Sequence, residues 1–150
     1  MPAAQDIQWF KQTFGPQIRQ QIANTPFTAD MITAIACQET GYIWARLRRL
    51  NKSVPQITAL CNGDTIDAKP NGKGRSAFPK NKADLLASPR GRDMFAIART
   101  DLEALANLFN DFKPAAQNPD KFCRGFGVSQ YDLQYFKTTP EYFLRGEYRD

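Results

Sequence analysis

Asp30-Met-Ile-Thr-Ala-Ile-Ala-Cys-Gln-Glu-Thr-Gly-Tyr-Ile-Trp44 is the stretch on which the fold turns. Ile32, Ile35 and Ala36 fall at i, i+3 and i+4, the spacing of one helix face. The next position of that face, i+7, holds Glu39 where the pattern calls for another Leu or Ile. Gly41 follows as a helix-stopping residue would. Apolar surroundings and the negative end of a helix dipole both disfavour ionisation of a carboxyl placed there. A general acid working near neutral pH is made this way. The plainer reading is a Glu that reaches solvent or pairs with a nearby Arg such as Arg46. On this stretch alone the two readings stand level.

Working outward, Asp6 can cap a helix running to about Ala23, with Ile7, Phe10, Phe14 and Ile18 on one face. Gly15-Pro16 within it predicts a kink or a split. Asn24-Thr25-Pro26 is a break, and Thr28 caps the helix that carries Glu39. Tyr42 to Leu50 reads as helical and basic. Arg48 fits a solvated face, while Arg46 and Arg49 fit either that or an anion-facing wall beside Glu39. Ser53 to Cys61 is a short capped helix. Asn62 to Lys82, rich in Gly and Asn, reads as a loop or small β-hairpin and carries Asp64 and Asp67. For Asp64 the plain alternative is an Asx-turn residue. Asn81 to Ala87 is a short helical segment. Ser88-Pro89 predicts the start of the longest helix, reaching about Phe112, with Met94, Ala98, Leu102 and Leu105 as core. The last part is aromatic, with Phe136, Tyr142 and Phe143 as core and Gly127 to Asp132 as a segment of another kind. These readings predict one mainly α domain over residues 1–150 with a small β-hairpin or loop insertion.

Composition narrows the chemistry. The chain has 150 residues, 42% of them hydrophobic, enough for a single globular core. It has no histidine, which excludes Ser-His-Asp and Cys-His catalysis and any zinc site that uses histidine. Proton transfer then falls mainly to carboxyls, Lys, Tyr or Cys. Cys37, Cys61 and Cys123 are widely spaced, so buried free thiols are expected, one disulfide plus one free thiol being the alternative, and no metal or other cofactor. The net charge of +5 suits an acidic partner: nucleic acid, anionic membrane or an anionic wall polymer. No run is long enough to span a bilayer, and the N-terminus lacks a signal-peptide pattern. Pro70-Asn-Gly-Lys-Gly74 lacks the Gly-Lys-Ser/Thr ending of a phosphate-binding loop.

Two pieces resemble one family. Ile35-Ala-Cys-Gln-Glu-Thr-Gly-Tyr42 resembles the Gln-Glu-Ser-Gly helix end of the lysozyme-like superfamily, especially lytic transglycosylases and goose-type lysozymes. Gly127-Val-Ser-Gln130 resembles their Gly-Leu-Met-Gln motif, which lines the sugar cleft. Thr40 stands in the Ser position and Ser129 in the Met position, and the interval between the motifs is longer than in transglycosylases. The resemblance implies a lysozyme-like helical domain that cleaves β-1,4 bonds of peptidoglycan, with Glu39 as the general acid. It implies Thr40, Tyr42, Gly127, Gln130 and Tyr131 as substrate-binding residues, and Asp64, ahead of Asp67, as a second carboxylate. The expected partner is the glycan strand, joined by an immunity or secretion-system protein if the chain is an exported toxin. Action in the periplasm or cell wall, as a phage lysin or secreted effector, would follow. A transglycosylase forming anhydro products and a chitinase or chitosanase are alternatives on the same acid. A reading of another class is a non-catalytic nucleic-acid-binding module using Arg46, Arg48, Arg49, Lys73, Arg75, Arg90 and Arg92, although no nucleic-acid-reading motif accompanies them.

Overall fold

A computed structural model describes residues 1–65 and 75–149, with Asp64 and Thr65 described by their backbone. Among these residues the chain is mainly helical, with eight α-helices and a small antiparallel sheet. The helices are α1 (Ala4–Gln21), α2 (Ala29–Glu39), α3 (Gly41–Arg49), α4 (Val54–Leu60), α5 (Lys82–Leu86), α6 (Gly91–Leu108), α7 (Lys113–Gln117) and α8 (Pro140–Leu144). The strands are β1 (Gly63–Thr65), β2 (Cys123–Phe126) and β3 (Tyr131–Asp132), in the order β1-β2-β3.

Several helix starts follow from their capping residues. The Thr28 hydroxyl accepts from the Met31 N–H at 3.2 Å, and Asn81 accepts from the Asp84 N–H at 2.9 Å. Ser53 and Gln56 cap each other's backbone N–H groups at 3.4 and 3.0 Å. Three boundaries differ from expectation. Pro16 lies inside α1, which is one helix and not split. Phe10 and Phe14 pack together at 4.7 Å between ring centres, and Phe10 meets Trp44 of α3 at 4.9 Å, so tertiary packing holds the helix across the proline. Gly41 does follow the Thr40 cap that ends α2, but it begins a second helix, α3, at once. A Cβ there would lie 2.5 Å from the Pro2 ring, so glycine permits the N-terminus to pack against the α2–α3 junction. Ser88-Pro89 does not open α6. The Ser88 hydroxyl donates to the Leu85 carbonyl at 2.7 Å, closing α5, and α6 starts after Arg90 at φ +56°. It ends at Leu108, followed by a 3₁₀ turn over Asn110–Phe112.

The core is one cluster to which α3 and α6 contribute much. Ile43, Trp44 and Leu47 from α3 and Met94, Ala98, Leu102 and Leu105 from α6 are fully buried. Each of the larger side chains contributes about 1.5–3 kcal/mol by leaving water. Phe122, Phe126, Phe136 and Phe143 fill the C-terminal part, with Tyr142 half-buried at its edge. Cys37, Cys61 and Cys123 are buried free thiols.

The sheet draws on two distant parts of the chain. β1 pairs with β2, Gly63 opposite Gly125 and Thr65 opposite Cys123. Among the described residues a hairpin is formed by β2 and β3, joined by Gly127 to Gln130, while residues 66–74 of the Asn62–Lys82 stretch lie outside the described residues. Arg75 forks both oxygens of Asp132 at 2.9 and 2.5 Å and pins its segment to β3.

The three arginines of α3 are structural. Arg48 and Arg49 converge on the buried Asp6 carboxylate at 2.6 and 2.5 Å, which corrects both the solvated reading of Arg48 and the anion-wall reading of Arg49. A buried carboxylate must be paired, and Asp6 draws both cations to α1. Asp6 also sits within the first turn and not ahead of it, accepting from the Ala3 N–H at 3.1 Å. Burial opposes its ionisation, but hydrogen bonds from Arg49, Arg48 and Ala3 outweigh burial and hold its pKa below the ordinary carboxylate value. Arg46 forks Asp111 at 2.8 Å to each oxygen and lies 3.9 Å above the Phe109 ring.

Candidate functional site

The buried side of α2 consists of Thr33, Ala36 and Cys37, continued by Thr40 beyond its end. Ile32 and Ile35 therefore turn away from the core, and Ile35 is 43% exposed. They line a groove of about 560 Å³, with Ile18, Val54, Val128 and Tyr142 on its other walls. Glu39 ends α2 and is exposed. The burial expected of Glu39 from the apolar face is thus not present. Arg46 is occupied by Asp111, so it is not the partner foreseen for Glu39.

Next to Glu39 the chain is held firmly. The fully buried Thr40 donates its hydroxyl to the Val128 carbonyl at 2.6 Å. This bond joins the α2–α3 junction to the β2–β3 turn, so the two sequence motifs meet in space. The turn is closed by the Gln130 N–H to the Gly127 carbonyl at 3.0 Å, with Gly127 at φ +76° and Gln130 at φ +54°. The Gln130 side-chain amide donates to the carbonyls of Cys61 at 3.0 Å and Gly127 at 2.9 Å. Its oxygen lies over Gly125 and Gly63, and any Cβ on Gly125 would collide with it. A Cβ on Gly63 would meet the Tyr42 hydroxyl at 2.9 Å and the Gln130 oxygen at 3.2 Å. Tyr42, Gly63 and Gln130 thus form one surface, three residues beyond Glu39 and one before Asp64.

Other predicted residues fall elsewhere. Asp64 is in strand β1. Asp67 and Lys73 lie outside the described residues. Tyr131 is half-buried, stacked against Tyr135 at 5.0 Å and Phe143 at 5.5 Å, within the C-terminal aromatic cluster. Gly127 borders the groove, together with Val128 and Ser129.

Asn62 and Asp101 escape a reading of the sequence. Asn62 is fully buried: its amide nitrogen donates to Asp101 at 2.7 Å and to the Ala59 carbonyl at 2.9 Å, and its oxygen accepts from the Gly127 N–H at 3.1 Å. Asp101 also accepts from the Tyr148 hydroxyl at 3.3 Å. Burial raises its carboxyl to about 6, against the opposing pull of Arg149, Tyr148 and Asn62. The signal existed: Asp101 sits on the Met94, Ala98, Leu105 face of α6. The acid-on-an-apolar-face argument applied to Glu39 describes Asp101 better.

Among the described residues, no group of three or more Cys, Asp or Glu side chains could hold a metal, and no helix is long and apolar enough to cross a membrane. Five of the seven cations named for nucleic-acid binding, Arg46, Arg48, Arg49, Arg75 and Arg90, are in internal ion pairs. No protein-family model, curated protein or solved structure matches the chain.

Proposed function

We propose that the protein is a glycosidase that cleaves the β-1,4 glycan bonds of peptidoglycan, with Glu39 as the general acid. The observation that carries this reading is the Thr40 hydroxyl on the Val128 carbonyl at 2.6 Å, which ties the residue after the solvent-facing Glu39 to the glycine turn. Glu39 would protonate the leaving oxygen. Asp64 in β1 would activate water or stabilise the oxocarbenium-like state, with Asp67 as the other candidate for that role. Tyr42 and Gln130 would meet the sugar, with Thr40 and Gly127 holding that wall in place. Tyr131, through its packing on Tyr135 and Phe143, would support β3 from behind. A glycan laid over Glu39 would exclude water there, so substrate would complete the apolar surroundings that a general acid needs.

The deciding experiment is digestion of purified cell wall by the wild type and by Glu39→Gln. Loss of the acid should lower the rate by about 10²–10⁴-fold. Equal glycan release by both would sink the assignment. The mass of the released fragments separates hydrolysis from formation of an anhydro ring, which is lighter by one water.

A further inference from the structure

We propose that Asn62 and Asp101 are positioning residues for the Gly127–Gln130 turn, the Asp101 carboxylate setting, together with the Ala59 carbonyl, which way round the Asn62 amide sits. The purpose of the turn rests on the glycosidase reading; the coupling rests on geometry alone. An ionised carboxylate only accepts hydrogen bonds. Asn62 must therefore turn its NH₂ towards Asp101, as it does at 2.7 Å. Its oxygen is then left on the opposite side, where it accepts from the Gly127 N–H at 3.1 Å. The flipped amide would set oxygen against both the carboxylate and the Ala59 carbonyl, and NH₂ against N–H, repulsive at both ends. One buried amide thus transmits the charge on α6 to the turn. Both residues are nearly inaccessible to water, with Asn62 fully buried and Asp101 7% exposed, so solvent offers little alternative partnership.

The turn has little freedom to absorb a change. Gly127 adopts a left-handed φ, and a Cβ there would lie 3.0 Å from the Tyr148 carbonyl. Val128 is tied to Thr40, the residue after Glu39. The polar groups facing Asp101 are Asn62 from the segment before β1, and the Tyr148 hydroxyl and Arg149 guanidinium from the 3₁₀ turn Glu147–Arg149, the last at 3.9 Å. A protonated Asp101 could donate as well as accept, which leaves the Ala59 carbonyl, 2.9 Å from the same NH₂, as the remaining acceptor that favours this orientation. The hold on the turn therefore weakens in mild acid.

Hydrogen exchange on the full chain tests this, with the Gly127 amide as reporter and the Leu105 amide in α6 as control for global opening. Asp101→Asn keeps the shape but removes the carboxylate's share of the selection, leaving the amide to the Ala59 carbonyl alone on that side. At pH 7.5 it should raise Gly127 exchange, relative to Leu105, by about tenfold. Tyr148→Phe removes the other hydrogen bond to Asp101 without touching amide orientation, and should leave the ratio within about twofold. An unchanged ratio in Asp101→Asn, or an equal rise in both variants, overturns the proposal. Should Asp101→Asn not fold, the wild type decides. Its Gly127 amide resonance should shift with one midpoint between about pH 5 and 7, and a resonance flat across that range overturns the proposal. Wild type inactive on cell wall would defeat the glycosidase reading while the Gly127 measurement still judges the relay. If wall is cleaved, Asp101→Asn should raise KM several-fold with kcat nearly unchanged, and a fall in kcat at constant KM counts against it.

Discussion

Gly63 and Gly125 stand opposite each other across β1 and β2, and the Gln130 side chain fills the space that two missing Cβ atoms leave. The arrangement makes Gln130 a filler of the sheet surface as well as a polar group at the proposed site. Gly125→Ala would push its methyl into the Gln130 amide. It should destabilise the protein by about 1–3 kcal/mol in denaturant titration, as overpacking does. Combining it with Gln130→Ala should recover part of that cost, since the two changes share one space. Strict additivity of the two would show that the contact is absent.

Thr40 offers a second measurement. Thr40→Val keeps the size but leaves the Val128 carbonyl without its donor, at a cost of about 1–3 kcal/mol. Thr40→Ser retains the hydroxyl and should lose less. Cell-wall cleavage should follow the same order, wild type, then Ser, then Val. Equal activity in all three would detach this bond from the site.

Stability against pH should show two carboxyls with opposite signs. Asp6 has a lowered folded pKa, so its contribution is present above the ordinary carboxylate value and fades as pH falls through the folded value. Asp6→Asn should be less stable by about 1–3 kcal/mol at neutral pH, a figure moderated by the partial exposure of Arg48 and Arg49. The deficit should shrink in acid. Asp101 has a raised folded pKa of about 6, so its contribution is full below the unfolded value and lost as pH rises through about 6. Between pH 4 and 7 the wild type should therefore lose stability against Asp101→Asn, on the order of 2–3 kcal/mol. Urea midpoints of the three proteins across this range give both slopes, and parallel curves would contradict the assignment.

The thiols give a simpler expectation. Burial pushes Cys61 up to about 12, against a small opposing hydrogen bond with Thr40, and burial also raises Cys37. A thiol reagent at pH 8 should label the native protein slowly and reach three equivalents only on unfolding. Rapid labelling of Cys61 in the native state would refute its burial.

What could be read from the sequence was local. Thr28, Ser53 and Asn81 start helices because their side chains satisfy backbone N–H groups within the same turn. The apolar spacing of α6 reveals its packing face for the same reason. The failures share a cause as well. Asp6 and Asn62 are buried because of partners 39 to 65 residues away, such as Arg48, Arg49, Asp101 and Gly127. Periodicity carries no information about such partners. Ile32 and Ile35 misled in the other direction, since a stripe of spacing 3 and 4 does not say whether it faces a core or a groove. Of the candidate site, the two stretches that Thr40 and Val128 join stood out in the sequence, but their contact and the environment of Glu39 were not legible.

The pairing of β1 with β2 also imposes an order in time. α2 makes its backbone bonds within eleven residues and can form as soon as they leave the ribosome. The strand holding Asp64 finds its partner only after Cys123 to Phe126 have been made. The proposed acid is therefore available early in synthesis, whereas the sheet beside it must wait for the last quarter of the chain. A nascent protein halted before β2 would carry Glu39 on its helix and have no finished site around it.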